Sequence, residues 1–293
     1  MKIILINGKA EYVLPYIPPI INLTVTSPPY DDMDKNYNPI QKNGLRDYKG
    51  YSWDFKAIAQ GLFKVTTEGG VVVWVVGDPT IYGNESLASS LQKIYFKKTG
   101  FNIHDTMIWI KNQLSFPDNN KYYNAFEYMF ILSKGKPKTF NPIKDKINVG
   151  EGRKWSGTHR KKTGETINVK NDNYIRQKYG VRWNYWLIYN QSRGIHSEHP
   201  ATFPEKLAHD HIITWSNEND WILDPMTGSG TVMKKCIELN HNCIGVEISE
   251  EYCNLIKKRL NWNSSINPDI EFIYLTEQDL LNEPSIMTKE HKV

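Results

Sequence analysis

Apolar and polar residues alternate along the chain in blocks that predict strands and helices in turn. Apolar runs at Lys2–Ile6, Ile20–Thr26 and Val71–Val76 have the length of strands, and Val71–Val76 leaves no polar face, which indicates burial on both sides. Apolar residues at Lys56–Thr67 and Ser86–Lys98 recur with helical spacing instead. Doubly buried strands separated by helices predict a parallel sheet that is covered by helices on both faces.

The same alternation continues toward the carboxyl end of the chain, with one interruption. Further strands are predicted at Thr106–Ile110, Glu127–Leu132, Trp221–Leu223, Cys243–Val246 and Ile270–Leu275, and further helices at Pro204–Trp215, Thr231–Leu239 and Glu250–Leu260. Between Phe140 and Ile195 the periodicity is lost among Gly, Asn, basic and aromatic residues. We therefore expect a doubly wound α/β sheet with residues 141–195 inserted outside it.

Overall composition adds little to this interpretation, whereas the distribution of charge adds more. The 293 residues are 40% hydrophobic and 23% charged, with a net charge of +4, as in many globular proteins. Residues 141–195 alone contain twelve Lys and Arg against four Asp and Glu, so the insertion carries +8. Such a segment favours a polyanionic partner over a merely solvated loop.

Cysteines and apolar runs bear on the compartment of the protein. The three cysteines, Cys236, Cys243 and Cys253, have neither zinc-binding nor paired spacing, and no apolar run has the length of a membrane span. We therefore expect a reduced, cytoplasmic protein that is not held in a membrane.

A glycine-containing loop between a predicted strand and a predicted helix is the first candidate ligand site. The loop is Asp224-Pro225-Met226-Thr227-Gly228-Ser229-Gly230-Thr231, and Glu247 ends the next strand about 20 positions later, where it could accept hydrogen bonds from ribose hydroxyls. A dinucleotide site needs a third glycine that this loop lacks, and Asp224 would repel a pyrophosphate but accept from an ammonium group. The loop therefore favours S-adenosylmethionine over NAD. Its candidate contacts are Asp224, Met226, Gly228, Ser229, Gly230, Thr231 and Glu247.

The tetrapeptide Ser27-Pro28-Pro29-Tyr30 is the second candidate site, directly after the run Ile20–Thr26. One interpretation is a plain exit turn, because prolines force a chain out of a sheet. The other is catalytic: Ser27 Oγ and the Pro28 carbonyl accept from the N–H groups of a base amine and favour a nucleophilic nitrogen. Tyr30 would then stack on a base flipped out of a duplex. Direct in-line methyl transfer requires no covalent intermediate and no metal.

Together, Ser27–Tyr30 and Asp224–Thr231 resemble the motifs of DNA amino-methyltransferases, which make N4-methylcytosine or N6-methyladenine. Their order resembles the beta class, where the catalytic tetrapeptide precedes the target-recognition region and the cofactor loop comes last. The resemblance implies a seven-stranded, mostly parallel, Rossmann-like methyltransferase sheet. Its catalytic half would be residues 1–140, its target-recognition region residues 141–195, and its cofactor-binding half residues 196–293.

The resemblance also assigns individual residues. A further cofactor motif of the family resembles residues 199–207, which implies that Thr202 and Phe203 line the methionine side of the cofactor. Relatives usually carry Gly-Asp where this chain has Asn7-Gly8, which puts in doubt a contact to the adenine end of the cofactor there. A serine-headed tetrapeptide is associated mainly with cytosine N4, so Ser27 favours cytosine while adenine N6 stays open.

Double-stranded DNA is the partner that the basic insertion then implies. Candidate phosphate contacts are Arg153, Lys154, Arg160, Lys161 and Lys162, and candidate readers of guanine are Arg176, Arg182 and Arg193. Two other functions stay open, namely an RNA or protein-glutamine amino methyltransferase and a catalytically silent DNA-binding module. A second copy of the chain and a restriction endonuclease for the same site are further partners that stay open.

Overall fold

The chain folds into two compact units in the computed structural model, which describes residues 1–29, 53–81, 83–111, 120, 122–189, 204–262 and 269–291. The main unit comprises Met1–Asn141 and Tyr185–Val293, and the inserted unit comprises Pro142–Asn184. No helix in the described ranges combines the length and the apolar character that crossing a membrane requires.

Strands make up most of the regular structure of both units. In chain order they are β1 (Lys2–Asn7), β2 (Ile21–Thr26), β3 (Thr66–Val76), β4 (Thr80–Ile81), β5 (Asn84–Glu85), β6 (Asn102–Ile110), β7 (Phe126–Ser133), β8 (Lys146–Ile147), β9 (Lys154–Arg160), β10 (Thr166–Ile175), β11 (Tyr179–Gly180), β12 (Tyr185–Leu187), β13 (Trp221–Asp224), β14 (Asn242–Glu247) and β15 (Glu271–Thr276). The helices are α1 (Ala10–Val13), a 3₁₀ turn at Leu14–Tyr16, α2 (Phe55–Val65), α3 (Ala88–Thr99), α4 (Glu205–Trp215), α5 (Thr231–Glu238), α6 (Glu250–Arg259), α7 (Glu277–Asn282) and α8 (Ile286–His291).

One sheet organises the main unit, with the strand order β12-β6-β7-β3-β2-β13-β14-β1-β15. All its pairings are parallel except those of β7, which runs antiparallel to β3 and β6. The predicted doubly wound, mostly parallel α/β fold is therefore confirmed. The expected number of seven strands is wrong, because β12 and β15 extend the sheet at its two edges to nine within the described residues.

Side chains on the two faces of the sheet form two separate cores, as doubly buried strands require. On one face Ile3 and Leu5 pack with Leu207 of α4 and Val232 of α5. On the other face the intervening residues of β1 pack with helices α1 to α3. Strand β3 contributes to both cores in the same alternating way, which explains why Val71–Val76 is apolar at every position.

The boundary of the inserted unit differs from the expected range 141–195. Tyr185–Leu187 is a strand of the main sheet, paired with β6 through Trp186 and Trp109, so the expectation that it lies outside the sheet is wrong. Three residues are too few for an alternating pattern of buried and exposed positions to identify this strand from the sequence. Only Trp186 is buried, and its two neighbours are exposed. Residues 190–195 lie outside the described residues.

Candidate active site

The two candidate loops meet where the sheet changes its winding direction. Strand β2 is followed by β3 on one side, β13 is followed by β14 on the other, and β2 pairs directly with β13. Ligands in open α/β sheets bind outside the carboxyl ends of strands at such a point. Ser27 and Asp224 belong to the carboxyl ends of these two strands, so the fold brings the two sequence motifs to one place.

A buried hydrogen bond joins the two strand ends. Thr26 Oγ1, on the residue before Ser27, donates to Asp224 Oδ1 over 2.8 Å. The Met226 backbone N–H donates to the same oxygen over 3.2 Å. Burial nevertheless raises the pKa of Asp224 to about 7, against the lowering effect of these two donors and with a smaller contribution from the charge of Glu247. Asp224 is thus a buried acceptor whose ionised form a donor-rich ligand would stabilise.

Backbone geometry holds the glycine loop close to the sheet. The Thr227 N–H and Oγ1 both donate to the Val246 carbonyl, over 2.9 and 3.0 Å. Gly230 precedes α5 with a φ of +80°, and a Cβ there would lie 3.1 Å from Ile256 Cγ1. A side chain at Gly245 would lie 2.8 Å from Thr227 Oγ1. The loop therefore needs glycine at position 230, within the loop, and at position 245, in the neighbouring strand β14.

Glu247 faces the loop from the end of β14. Its Oε2 accepts from the Gly228 N–H over 2.8 Å and its Oε1 accepts from the Ser249 N–H over 2.9 Å. Burial raises the pKa of Glu247 to about 7, although these backbone donors lower it. Asn7 Nδ2 donates to the carbonyls of Glu247 and Ile248, over 3.0 and 3.1 Å. Asn7 thereby fixes the backbone that carries the carboxylate.

Arg259, at the end of α6, donates hydrogen bonds to the glycine loop. The sequence analysis did not identify it as part of the site. Its Nη1 donates to the Ser229 carbonyl, to Ser229 Oγ and to Thr231 Oγ1 over 2.8, 3.1 and 3.3 Å. Its Nη2 donates to Glu205 Oε1 over 2.8 Å, and Lys234 Nζ reaches the same oxygen over 2.7 Å. Partial burial alone would raise the pKa of Glu205, but hydrogen bonds from lysines, Lys234 among them, lower that pKa to about 2. No local pattern could identify Arg259, since its contacts lie 28 to 54 positions away.

The catalytic tetrapeptide is described only in part. Ser27 and Pro29 are half-buried and Pro28 is buried, directly after β2. Tyr30, Thr202 and Phe203 lie outside the described residues. Thr26 is a further residue that the sequence analysis did not assign to the site, although a polar residue at the end of an apolar strand could have suggested it.

The candidate DNA-binding residues of the inserted unit fall into two groups. Arg153, Lys154, Arg160, Lys161 and Lys162 are exposed. Two half-buried arginines are held within the unit, because Arg182 Nε donates to Asp145 Oδ2 over 2.9 Å and Arg176 Nη1 donates to the Val149 carbonyl over 2.6 Å. Arg193 lies outside the described residues.

Comparison with known proteins agrees with this arrangement. The N6/N4 methyltransferase family, described as DNA methylase, matches residues 21–258. The orphan methyltransferase M.BamHII of Bacillus amyloliquefaciens is 51% identical over 247 residues, covering 82% of this chain and 88% of that protein.

Solved structures share the fold. The cytosine-N4-specific PvuII DNA methyltransferase superposes with a TM-score of 0.61 at 17% identity, covering 97% of this chain and 92% of that one. A Thermus thermophilus protein complexed with S-adenosyl-L-methionine superposes with a TM-score of 0.59 at 22% identity, covering 92% and 99%. The chain belongs to the N6/N4 family of DNA methylases.

Proposed function

We propose that this chain is a site-specific methyltransferase of double-stranded DNA that uses S-adenosyl-L-methionine and modifies cytosine at N4. The observation that carries the proposal is the hydrogen bond from Thr26 to Asp224, which joins the strand before Ser27 to the strand before the glycine loop. The strand before the proposed base-binding loop and the strand before the proposed cofactor loop are thereby joined at one switch point of the sheet, which supports the proposal.

The residues at the glycine loop suit the proposed cofactor. Asp224 and Glu247 are buried carboxylates whose pKa values are raised to about 7, so a ligand that brings an ammonium group and hydroxyl donors offsets the cost of ionising them. Asp224 would take the ammonium group and Glu247 the ribose hydroxyls, with Met226, Gly228, Ser229, Gly230 and Thr231 forming the loop around the ligand. Thr202 and Phe203 are proposed contacts on its methionine side. The chemistry that the bound cofactor would supply is a methyl group on a sulfonium.

Ser27 and Pro28 would act on the base. Their oxygens accept from the exocyclic amine and favour a pyramidal nitrogen as positive charge develops there, while Pro29 stiffens the loop. Tyr30 would stack on the flipped base. The preference for cytosine follows from the serine at the head of the tetrapeptide, and adenine N6 is the alternative product.

The full chain incubated with duplex DNA and isotopically labelled S-adenosyl-L-methionine provides the test. Mass spectrometry of the released nucleosides is expected to show labelled N4-methylcytosine. Labelled N6-methyladenine would reassign the base, and the absence of any labelled nucleoside from the duplex would overturn the proposal. Ser27→Ala is expected to lower kcat roughly 100-fold or more while cofactor affinity in calorimetry stays within about twofold. Ser90→Ala, at an exposed serine of α3, serves as the matched control.

A further inference from the structure

The hairpin formed by β9 and β10 in the inserted unit has two chemically different faces. Its antiparallel register pairs Arg160 with Thr166, Thr158 with Asn168, and Gly157 with Val169. Side chains alternate between the faces of a strand, so every second pair shares a face. One face carries hydrogen-bonding residues, whereas the other carries the apolar Ile167 and Val169 together with His159.

Burial follows the same alternation. The polar face carries Ser156, Thr158, Arg160, Thr166 and Asn168, and all five are exposed. On the opposite face Ile167, Val169 and Gly157 are half-buried, and the exception is His159, which is exposed near the tip. The polar face is therefore a solvent-facing row of donors and acceptors on a two-stranded antiparallel ribbon.

The turn at the tip of the ribbon is ordered and basic. The Lys161 N–H donates to the Glu165 carbonyl over 2.8 Å, and the Gly164 N–H donates to the Lys161 carbonyl over 2.9 Å. Arg160 Nε donates to the Gly164 carbonyl over 3.2 Å, which orients the guanidinium and leaves its other N–H groups to donate elsewhere. Lys162 is exposed in the same turn. The tip thus presents positive charge next to the polar face.

We infer that this ribbon enters the major groove of the substrate duplex and that its polar face reads base edges, with Arg160 and Asn168 as specificity-determining residues. The inference rests on the proposed function. The major groove has the width of a two-stranded ribbon, and Arg and Asn are the side chains that bind guanine and adenine through two hydrogen bonds. The inserted unit carries eleven Lys and Arg against four Asp and Glu, which complements the phosphates on either side of the groove.

The groove assignment divides the basic residues by role. Arg160, which the sequence placed among the phosphate contacts, becomes a reader of bases. Lys161 and Lys162 keep the phosphate role, because they lie in the turn and not in the paired strands. A phosphate contact lowers affinity for every duplex alike, whereas a base contact lowers it for the correct sequence only.

A library of random-sequence duplex DNA, methylated by the full chain and sequenced for modified bases, tests the inference. Arg160→Ala and Asn168→Ala are expected to lower discrimination between the best site and its single-base variants roughly tenfold each, at one base position per variant. His159→Ala, an exposed residue of the opposite face, is the matched control and is expected to keep discrimination unchanged. Lys162→Ala is expected to weaken binding to all duplexes and to reduce the salt slope by about one.

Unchanged discrimination in both Arg160→Ala and Asn168→Ala, with native cofactor affinity and circular dichroism, would overturn the inference. Replacing purines of the best site one at a time by 7-deazapurines removes a major-groove acceptor only. A loss at one purine that disappears in the matching variant supports the major groove, and no loss at any purine contradicts it. If the native chain methylates no DNA at all, the proposed function itself fails, which is a different outcome.

Discussion

Thr26 Oγ1 donates a hydrogen bond of 2.8 Å to Asp224 Oδ1, between residues 198 positions apart in the chain that are both buried. The bond connects the end of the strand that leads into Ser27 with the end of the strand that leads into the glycine loop. Thr26 is thus placed to influence cofactor binding from the catalytic side of the site.

Thr26→Val is expected to weaken cofactor binding. The variant keeps the shape of the side chain but removes a donor to a buried carboxylate, which costs about 1–3 kcal/mol. Because that donor lowers the pKa of Asp224, its loss raises the pKa further and leaves less ionised Asp224 at pH 7. Calorimetry should show a weaker Kd for S-adenosyl-L-methionine in Thr26→Val and a nearly native Kd in Thr26→Ser. Equal affinity of the two variants would argue against the coupling.

Stability of the ligand-free protein is expected to depend on pH through Asp224. Its pKa is raised from 3.8 to about 7, so the stability that it contributes is fully present below about pH 4 and lost as the pH rises through 7. Urea denaturation at about pH 5 and pH 8 measures how much unfolding free energy is lost between these two pH values. This loss should be smaller in Asp224→Asn than in the native chain. Parallel losses in the two proteins would contradict the raised pKa.

Cofactor affinity should have the opposite pH dependence. Binding an ammonium group requires ionised Asp224, so affinity rises with pH up to about 7 and then levels off. Below pH 7 the Kd is expected to increase by up to about tenfold per unit for one obligatory carboxylate. Calorimetry from about pH 5.5 to 8.5 measures this profile, and a flat profile would remove Asp224 from the ammonium contact.

Arg259→Gln should impair the glycine loop without touching the reacting atoms. It removes three hydrogen bonds to Ser229 and Thr231 and one to Glu205. We expect the Kd for the cofactor to rise about tenfold, while kcat at saturating cofactor stays within about threefold. Arg259→Lys restores the charge but not the planar fork and should recover little. Lys258→Gln, at an exposed neighbour on α6, is the control.

Gly230→Ala is expected to destabilise the protein and to weaken cofactor binding. The φ of +80° costs a non-glycine residue about 1–2 kcal/mol, and the new methyl group would also press against Ile256. Gly83→Ala provides a matched comparison, because Gly83 has a φ of +82° with open space around its Cβ position. Urea denaturation should show the larger loss for Gly230→Ala. A smaller loss of unfolding free energy in Gly230→Ala than in Gly83→Ala would mean that Ile256 moves aside without destabilising the protein.

The sequence predicted the elements of the fold where a local pattern exists. The almost wholly β-branched run Val71–Val76 indicated a buried strand, and the observed strand contains it. Strand β3 nevertheless begins at Thr66, whereas the sequence predicted a helix as far as Thr67 and a strand only from Val71. Ile21 of β2 pairs with Thr66, and the Gly69 N–H donates to the Lys134 carbonyl over 2.6 Å. The extension depends on neighbouring strands, which a local pattern does not contain.

The candidate site, like the fold, could be predicted from the sequence only in part. Asp224 and Glu247 could be found because they follow strands at spacings with a known chemical use. Their raised pKa values could not, since these depend on burial by residues from the whole main unit. The support that Arg259 gives the loop depends likewise on how α6 packs behind it. Residue type and spacing therefore indicate the chemistry, while the ionisation and rigidity of the site follow from packing.

The position of β1 in the sheet has a consequence for how the protein folds during its synthesis on the ribosome. Lys2–Asn7 pairs with β14 on one edge and β15 on the other, and the Lys2 N–H binds Asn242 Oδ1 across 240 positions of sequence. At about 5–20 residues per second, this apolar strand waits on the order of tens of seconds for either partner to be synthesised. We therefore expect the closure of the sheet around β1 to be a late step of folding.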